Sequence, residues 1–193
     1  MVDPDTALQR FDFFNRSIYI TEEITHETGI QVYQLINFWN KVDRTDNIEN
    51  PIPIKIYIDT PGGDIEATLS IISSIKASRT PVYTYTIGNG FSAGFFIGIC
   101  GHKRFGAKYS SYLYHGGTFG DIGDVHKVFQ RSDFYHRQLA LLKEIVLENT
   151  KITEAEYDSH YKDDWFMLSE EALKYGVIDE ILTKDTGVIK NEE

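Results

Sequence analysis

The sequence predicts an α/β fold built as one domain. Two observations along the chain carry this expectation. Short runs of β-branched and aromatic residues, such as Ile54-Lys-Ile-Tyr-Ile58 and Val82 to Ile87, read as buried strands. Segments with apolar residues at helical spacing lie between and after them, including Ile65 to Ala77 and Asp124 to Glu148. Strands and helices alternate throughout, the pattern of a sheet covered by helices. The length supplies the third observation: 193 residues suit a single domain, residues 1–193, with enough core to need no disulfide.

The elements follow in order. Residues 1–10, within a short N-terminal segment of residues 1–14, read as a poorly ordered lead containing Pro4. Ser17 to Ile20 is a short strand. From Glu27 to Val42 the residues Ile30, Tyr33, Leu35, Ile36 and Trp39 support an amphipathic helix. A polar loop closed by Pro51 and Pro53 precedes the strand Ile54 to Ile58. Asp59-Thr-Pro-Gly-Gly-Asp64 ends that strand in a glycine loop, and the helix Ile65 to Ala77 follows. The strand Val82 to Ile87 then feeds Gly88-Asn-Gly-Phe-Ser-Ala-Gly94 and a small apolar helix. Ser111 to Tyr114 is a strand ending at His115-Gly-Gly-Thr118.

Asp124 to Glu148 is the longest periodic segment, with Val125, Val128, Phe129, Ser132, Tyr135, Leu139, Leu142 and Ile145 on one stripe. A helix of about 25 residues is roughly 37 Å long, more than a small domain needs. Its stripe therefore predicts burial against another copy of the chain, with a plain core helix as the alternative. Thr153 and Glu156 have capping-box spacing for a short helix to Tyr161. Asp163-Asp-Trp-Phe-Met167 leads into a strand, and Ser169 to Gly176 is a helix closed by glycine. Val177 to Leu182 reads as a last strand before a polar tail, residues 184–193.

Composition narrows the function classes. The net charge of −10 offers no basic stripe for nucleic acid. The longest apolar run, Phe91 to Cys100, is broken by glycines and too short to cross a bilayer, so no membrane partner is expected. The first residues lack the apolar core of a signal peptide, and a lone cysteine, Cys100, suits a reducing compartment. The expected location is the cytoplasm. The six histidines form no paired ligand spacing, so no metal is expected.

Gly90, Ser92 and Gly94 satisfy the Gly-x-Ser-x-Gly nucleophile pattern, in which glycines allow a sharp turn that exposes the hydroxyl. A helix starting at the serine aims free N–H groups at any oxyanion formed there. The glycine pair Gly62-Gly63 presents bare backbone N–H groups for the same purpose. A serine needs a base, and the base an orienting acid. The chain offers two schemes. One runs Ser92, His115, then Asp164 or Asp163. The other, in the order of α/β-hydrolases, runs Ser92, Asp121 or Asp124, then His160, and would make a serine esterase.

The chain resembles the ClpP family, the proteolytic subunits of the Clp protease. Four pieces carry the resemblance, in order, over roughly residues 15–183. They are Ile56-Tyr-Ile-Asp-Thr-Pro-Gly-Gly63, Gly88-Asn-Gly-Phe-Ser-Ala-Gly94, Tyr112-Leu-Tyr-His115, and Asp164-Trp-Phe-Met167 followed by Glu171-Ala-Leu-Lys-Tyr-Gly-Val-Ile-Asp179. The resemblance implies a ClpP/crotonase-like fold of repeated strand-strand-helix units, with residues 124–149 as a protruding handle helix. It also implies Ser92 as nucleophile, His115 as general base, Asp164 as the orienting acid, and the N–H groups of Gly63 and Ala93 as oxyanion hole. The implied activity is that of a serine endopeptidase acting on unfolded polypeptides inside a chamber formed by the chain itself, as a heptameric ring or a tetradecamer. The implied partner is an AAA+ unfoldase of ClpX, ClpA or ClpC type, which spends the ATP, so this chain carries no cofactor.

Four features depart from the family pattern. About 15 residues precede the match, where the family has a longer segment lining the axial pore. Gly116-Gly117 follow the histidine in place of a polar residue and proline, Ala93 replaces a common methionine, and Lys162-Asp163 replaces an acidic-then-basic pair before the aspartate. Two further readings are a catalytically silent ring subunit and a crotonase-type acyl-CoA enzyme.

Overall fold

A computed structural model describes residues 3–117 and 120–183. Thr118 and the polar tail 184–193 lie outside the described residues. In chain order the elements are α1 (Pro4–Phe14), β1 (Ser17–Ile20), α2 (His26–Thr45), β2 (Ile54–Thr60), α3 (Ile65–Ala77), β3 (Val82–Phe91) and α4 (Ala93–Gly98). There follow β4 (Lys103–Gly106), β5 (Ser111–Tyr114), α5 (Val125–Asn149), α6 (Glu154–His160), β6 (Trp165–Leu168), α7 (Ser169–Lys174) and β7 (Glu180–Ile181). The class is α/β, as expected.

Five strands lie parallel in the order β1-β2-β3-β4-β7. The inner strand β2 is buried on both faces, with Ile54, Ile56 and Ile58 fully buried on one side and Tyr57 on the other. This is why it reads as a continuous apolar run. Helices α2 and α3 cover the isoleucine face, where Gly29 of α2 lies against Ala67 of α3. The opposite face carries a row of stacked rings, Tyr19–Tyr57–Tyr85–Phe105, with centroids 4.9, 5.0 and 4.7 Å apart.

The strand β3 changes partner partway. Its first half pairs with β4, from Tyr83↔Lys103 to Thr86↔Gly106; its last residues, Asn89 to Phe91, pair with β5. A bulge makes the switch, since Ile58 opposes Thr86 but Thr60 opposes Gly90. Asp59 braces it by accepting a hydrogen bond from the Asn89 N–H at 2.8 Å. The strand therefore runs through the glycines that the sequence reads as a turn, and ends one residue before Ser92.

Three expectations are corrected. The lead is a helix, α1, capped by the Asp3 carboxylate on the Thr6 N–H at 3.0 Å. Proline in its first turn suits a helix start, because no N–H bond is lost there. An unforeseen strand, β4, sits between Cys100 and Ser111. Val177 to Leu182 supplies only the two paired residues of β7, because Val177 and Ile178 are instead tied to the Ala172 carbonyl as α7 ends.

Two ion pairs lock distant segments. Arg16 grips Asp43 with both guanidinium nitrogens, at 2.7 and 2.6 Å, and Thr80 donates to the same carboxylate at 2.6 Å. Arg104 joins Asp179 to the carbonyls of Asn149 and Gly176, tying β4 to the ends of α5 and α7. No described helix is long and apolar enough to cross a membrane.

Candidate active site

The strand-to-helix junction places Ser92 at φ 52°, ψ −115°, a conformation L residues rarely adopt. Such a residue costs about 1–3 kcal/mol and persists only where its surroundings over-determine it. Here the Ser92 N–H donates to the Leu113 carbonyl at 2.9 Å, extending the β3–β5 ladder, while its own carbonyl accepts from Phe95 at 3.0 Å to start α4. Buried Phe95, Phe96 and Ile97 anchor that helix. A Cβ on Gly94 would come 2.5 Å from a Thr60 methyl, so only glycine lets α4 sit this close to β2. The Ser92 hydroxyl is not consumed as a helix cap and stays available.

The strand registers bring the other two residues to the same end of the sheet. Phe91 pairs with Leu113, and one step further the chain reaches Ser92 and Tyr114. Tyr114 pairs with Trp165 across the antiparallel β5–β6 ladder, so the next step sets His115 beside Asp164. His115, Gly63, Ser92 and Ala93 all border one cleft of about 1020 Å³. His115 also borders a smaller one of about 470 Å³ with Asp163 and Asp164. His115 thus lies in the wall common to the two clefts, together with Gly117, Tyr135 and Leu139. Among the described residues no hydrogen bond links Ser92 to His115 or His115 to Asp164. Catalytic contacts of this kind commonly tighten only with substrate bound.

The glycine loop after β2 reaches the same cleft. Gly62 and Gly63 both have positive φ, 112° and 151°. The Gly62 N–H is taken by the Thr60 hydroxyl at 3.1 Å, and its carbonyl accepts from Ile24 at 2.8 Å. By contrast, the N–H groups of Gly63 and Ala93 carry no backbone bond among the described residues, and both residues face the cleft.

The alternative scheme is not brought together. His160 stacks on Trp165 with ring centroids 4.0 Å apart and lines neither cleft. Asp121 is paired with Arg131, which holds its carboxyl below the usual range, and Asp124 caps α5 on the His126 N–H at 3.1 Å. His102 accepts from the Val82 N–H at 3.0 Å through its ring nitrogen. Cys100 is buried, and burial pushes its thiol up to about 12, so it stays protonated. No group of three or more His, Cys, Asp or Glu among the described residues is placed to hold a metal.

The sequence reading missed much of the cleft wall. Arg131, Phe134, Gln138 and Leu142 of α5 line it together with Thr68 and Phe96. The α5 residues follow i, i+3/i+4 spacing and so share a face. That spacing was legible, but an apolar stripe passes over polar Arg131 and Gln138.

Comparison with known proteins agrees with this geometry. A family model described as Clp protease matches residues 7–185. The ATP-dependent Clp protease proteolytic subunit 2 of Treponema denticola is 28% identical over 181 residues, which is 93% of this chain and 87% of that protein. The protein of the same name from Treponema pallidum is 29% identical over 134 residues, covering 68% of this chain and 67% of the relative. With a serine turn, a neighbouring histidine and an open glycine loop around one cleft, and a family match over nearly its whole length, the chain belongs to the Clp protease family.

Proposed function

We propose that the chain is a serine endopeptidase subunit that cleaves unfolded polypeptides. The observation that carries this reading is the single cleft bordered by Ser92, His115, Gly63 and Ala93, the last two with N–H groups that carry no backbone bond among the described residues. In the reaction, the Ser92 oxygen attacks the scissile carbonyl while His115 takes its proton. The tetrahedral oxyanion turns toward Gly63 and Ala93, whose N–H groups need no reorganisation to receive it. Loss of one such donor typically slows an enzyme about 10²- to 10³-fold. His115 then protonates the leaving amine, and water repeats the cycle to release the acyl group. Asp164 orients His115 and stabilises its imidazolium.

The chain works as an assembly of its own copies, a heptameric ring or a tetradecamer that encloses the clefts. Support comes from α5, whose first half, Val125 to Arg137, has no fully buried residue against the described residues. Val125 and Phe129 are 64% and 69% exposed, and Ile122 just before the helix is 98% exposed. An ATP-spending unfoldase of ClpX, ClpA or ClpC type delivers substrate, and the chain itself needs no cofactor. The lone buried cysteine suits a reducing compartment such as the cytoplasm.

The test is intact-mass analysis after a fluorophosphonate probe. One adduct on Ser92 in the wild type, lost in Ser92→Ala and in His115→Ala, is expected. An adduct that survives His115→Ala would move the base elsewhere, and no adduct in an assembled wild-type particle would overturn the serine mechanism.

A further inference from the structure

Six buried residues line the larger cleft: Ile24, Thr68, Ala93, Phe96, Gln138 and Leu142. Four of them are apolar. The Thr68 hydroxyl donates to the Asp64 carbonyl at 2.6 Å, closing the first turn of α3. Gln138 is different. It is only 8% exposed, its side chain makes no hydrogen bond among the described residues, and it borders the cleft that Ser92 opens into. A primary carboxamide has two donors and a two-lone-pair acceptor. The Gln138 amide keeps accessible surface, unlike the sealed hydroxyls of Tyr112 and Tyr114, and so is open to the cleft that the residue borders. Its helix-face neighbour Leu142 is 4% exposed and packs in the core, so Gln138 is held on the cleft side rather than free to swing to solvent.

We propose that Gln138 is a specificity-determining residue that selects substrates with an uncharged hydrogen-bonding side chain, a carboxamide above all, on the residue whose carbonyl Ser92 attacks. The inference rests on the proposed serine mechanism and names the substrate class of that site. Phe96, Ala93 and Leu142 pack the methylene stem of such a side chain. The glutamine then pairs with its amide, donor to acceptor and acceptor to donor, which no aliphatic side chain satisfies. A charged side chain is disfavoured because the buried part of this wall carries no charge, and Arg131, the cation that α5 brings to the cleft, is engaged by Asp121. Sites built to hydrogen-bond a substrate group reject analogues that lack it, since the site's own polar group is left unpaired.

The experiment uses the full chain in its assembled form and fluorogenic peptides that differ only at that residue, Gln against nearly isosteric Met. Ser92 labelling by a fluorophosphonate, which carries no such side chain, is followed in parallel. The wild type is expected to favour Gln over Met in kcat/KM by roughly tenfold or more. In Gln138→Met, an unbranched replacement of the same length, the ratio is expected to collapse to near one or invert. A ratio near one in the wild type, with Ser92 labelled, overturns this inference and leaves the serine mechanism standing; the comparison needs no variant. A preference that persists in Gln138→Met also overturns it, because the selection is then made elsewhere. Absence of both hydrolysis and labelling in the wild type overturns the mechanism and the inference together.

Discussion

Gly62 lies directly against Ser92: a Cβ built on Gly62 would come 2.7 Å from the Ser92 Cβ and 3.2 Å from the Ala93 nitrogen. The loop after β2 and the turn after β3 therefore touch without a side chain between them, and this contact holds the Gly63 N–H and the Ala93 N–H on one cleft. The substitution Gly62→Ala adds a methyl where there is no room, at a φ of 112° that alanine rarely adopts. The expected outcome is a folded protein with peptide hydrolysis lowered by about 10²-fold, the size typical of a displacement near 1 Å. Circular dichroism and Ser92 labelling kinetics check it. Wild-type labelling rates in Gly62→Ala would show that the contact does not set the nucleophile's position.

The β5–β6 register distinguishes two neighbouring carboxylates. Tyr114 opposes Trp165, so continuing the register by one residue aligns His115 with Asp164, while Asp163 and Asp164 both line the smaller cleft with it. Asp164→Asn is expected to lower kcat by about 10³- to 10⁴-fold, as loss of the orienting carboxylate does in serine enzymes generally. Asp163→Asn is expected to change it by no more than about threefold, in line with an ordinary surface substitution. Peptide hydrolysis by the two variants decides, and the reverse ranking would place the acid at Asp163.

Assembly is expected to depend on the exposed start of α5. Phe129 is 69% exposed and touches neither cleft, so Phe129→Glu probes association without altering the site wall. A buried, unpaired charge at an interface is strongly unfavourable. The variant is expected to lose particle mass by light scattering while keeping its helical content. Leu139→Glu is a poorer probe, because Leu139 packs on the core and lines the cleft. An unchanged mass for Phe129→Glu would remove α5 from the interface.

The Arg16–Asp43 pair sets an acid limit on stability. Hydrogen bonding from Arg16 holds the Asp43 carboxyl below its ordinary range, against the opposing effect of burial. The folded pKa is therefore depressed, and between the two values the unfolded chain binds more protons. The pair's contribution is complete above the unfolded carboxylate pKa and fades as pH falls through the folded one. Asp43→Asn leaves Arg16 buried without its partner and is expected to cost about 3–5 kcal/mol at pH 7. That difference should shrink at strongly acidic pH, as urea midpoints across pH 3 to 7 would show. A difference independent of pH would mean the loss is one of packing.

The α/β class, the isoleucine-rich strand β2, the long helix α5 and the serine turn with its glycines were legible in the residues alone. Each is encoded locally, as a period, a run or a turn that needs a residue without Cβ. The sequence also named both Ser92 and His115, because a nucleophile pattern and a histidine at a strand end are visible without contacts. The tertiary structure placed His115, and not His160, on the cleft that Ser92 borders, a proximity that no local pattern encodes. It alone showed β4, whose four residues Lys103-Arg-Phe-Gly106 have no strand pattern and are extended because the edge of β3 needs a partner. It alone carried β3 through Gly88 and Gly90, where pairing with β2 and β5 outweighs the conformational freedom of glycine. Gln138 was silent in the sequence for the same reason: a polar residue on a helix carries no signal until the fold sets it on the wall of the cleft that Ser92 borders.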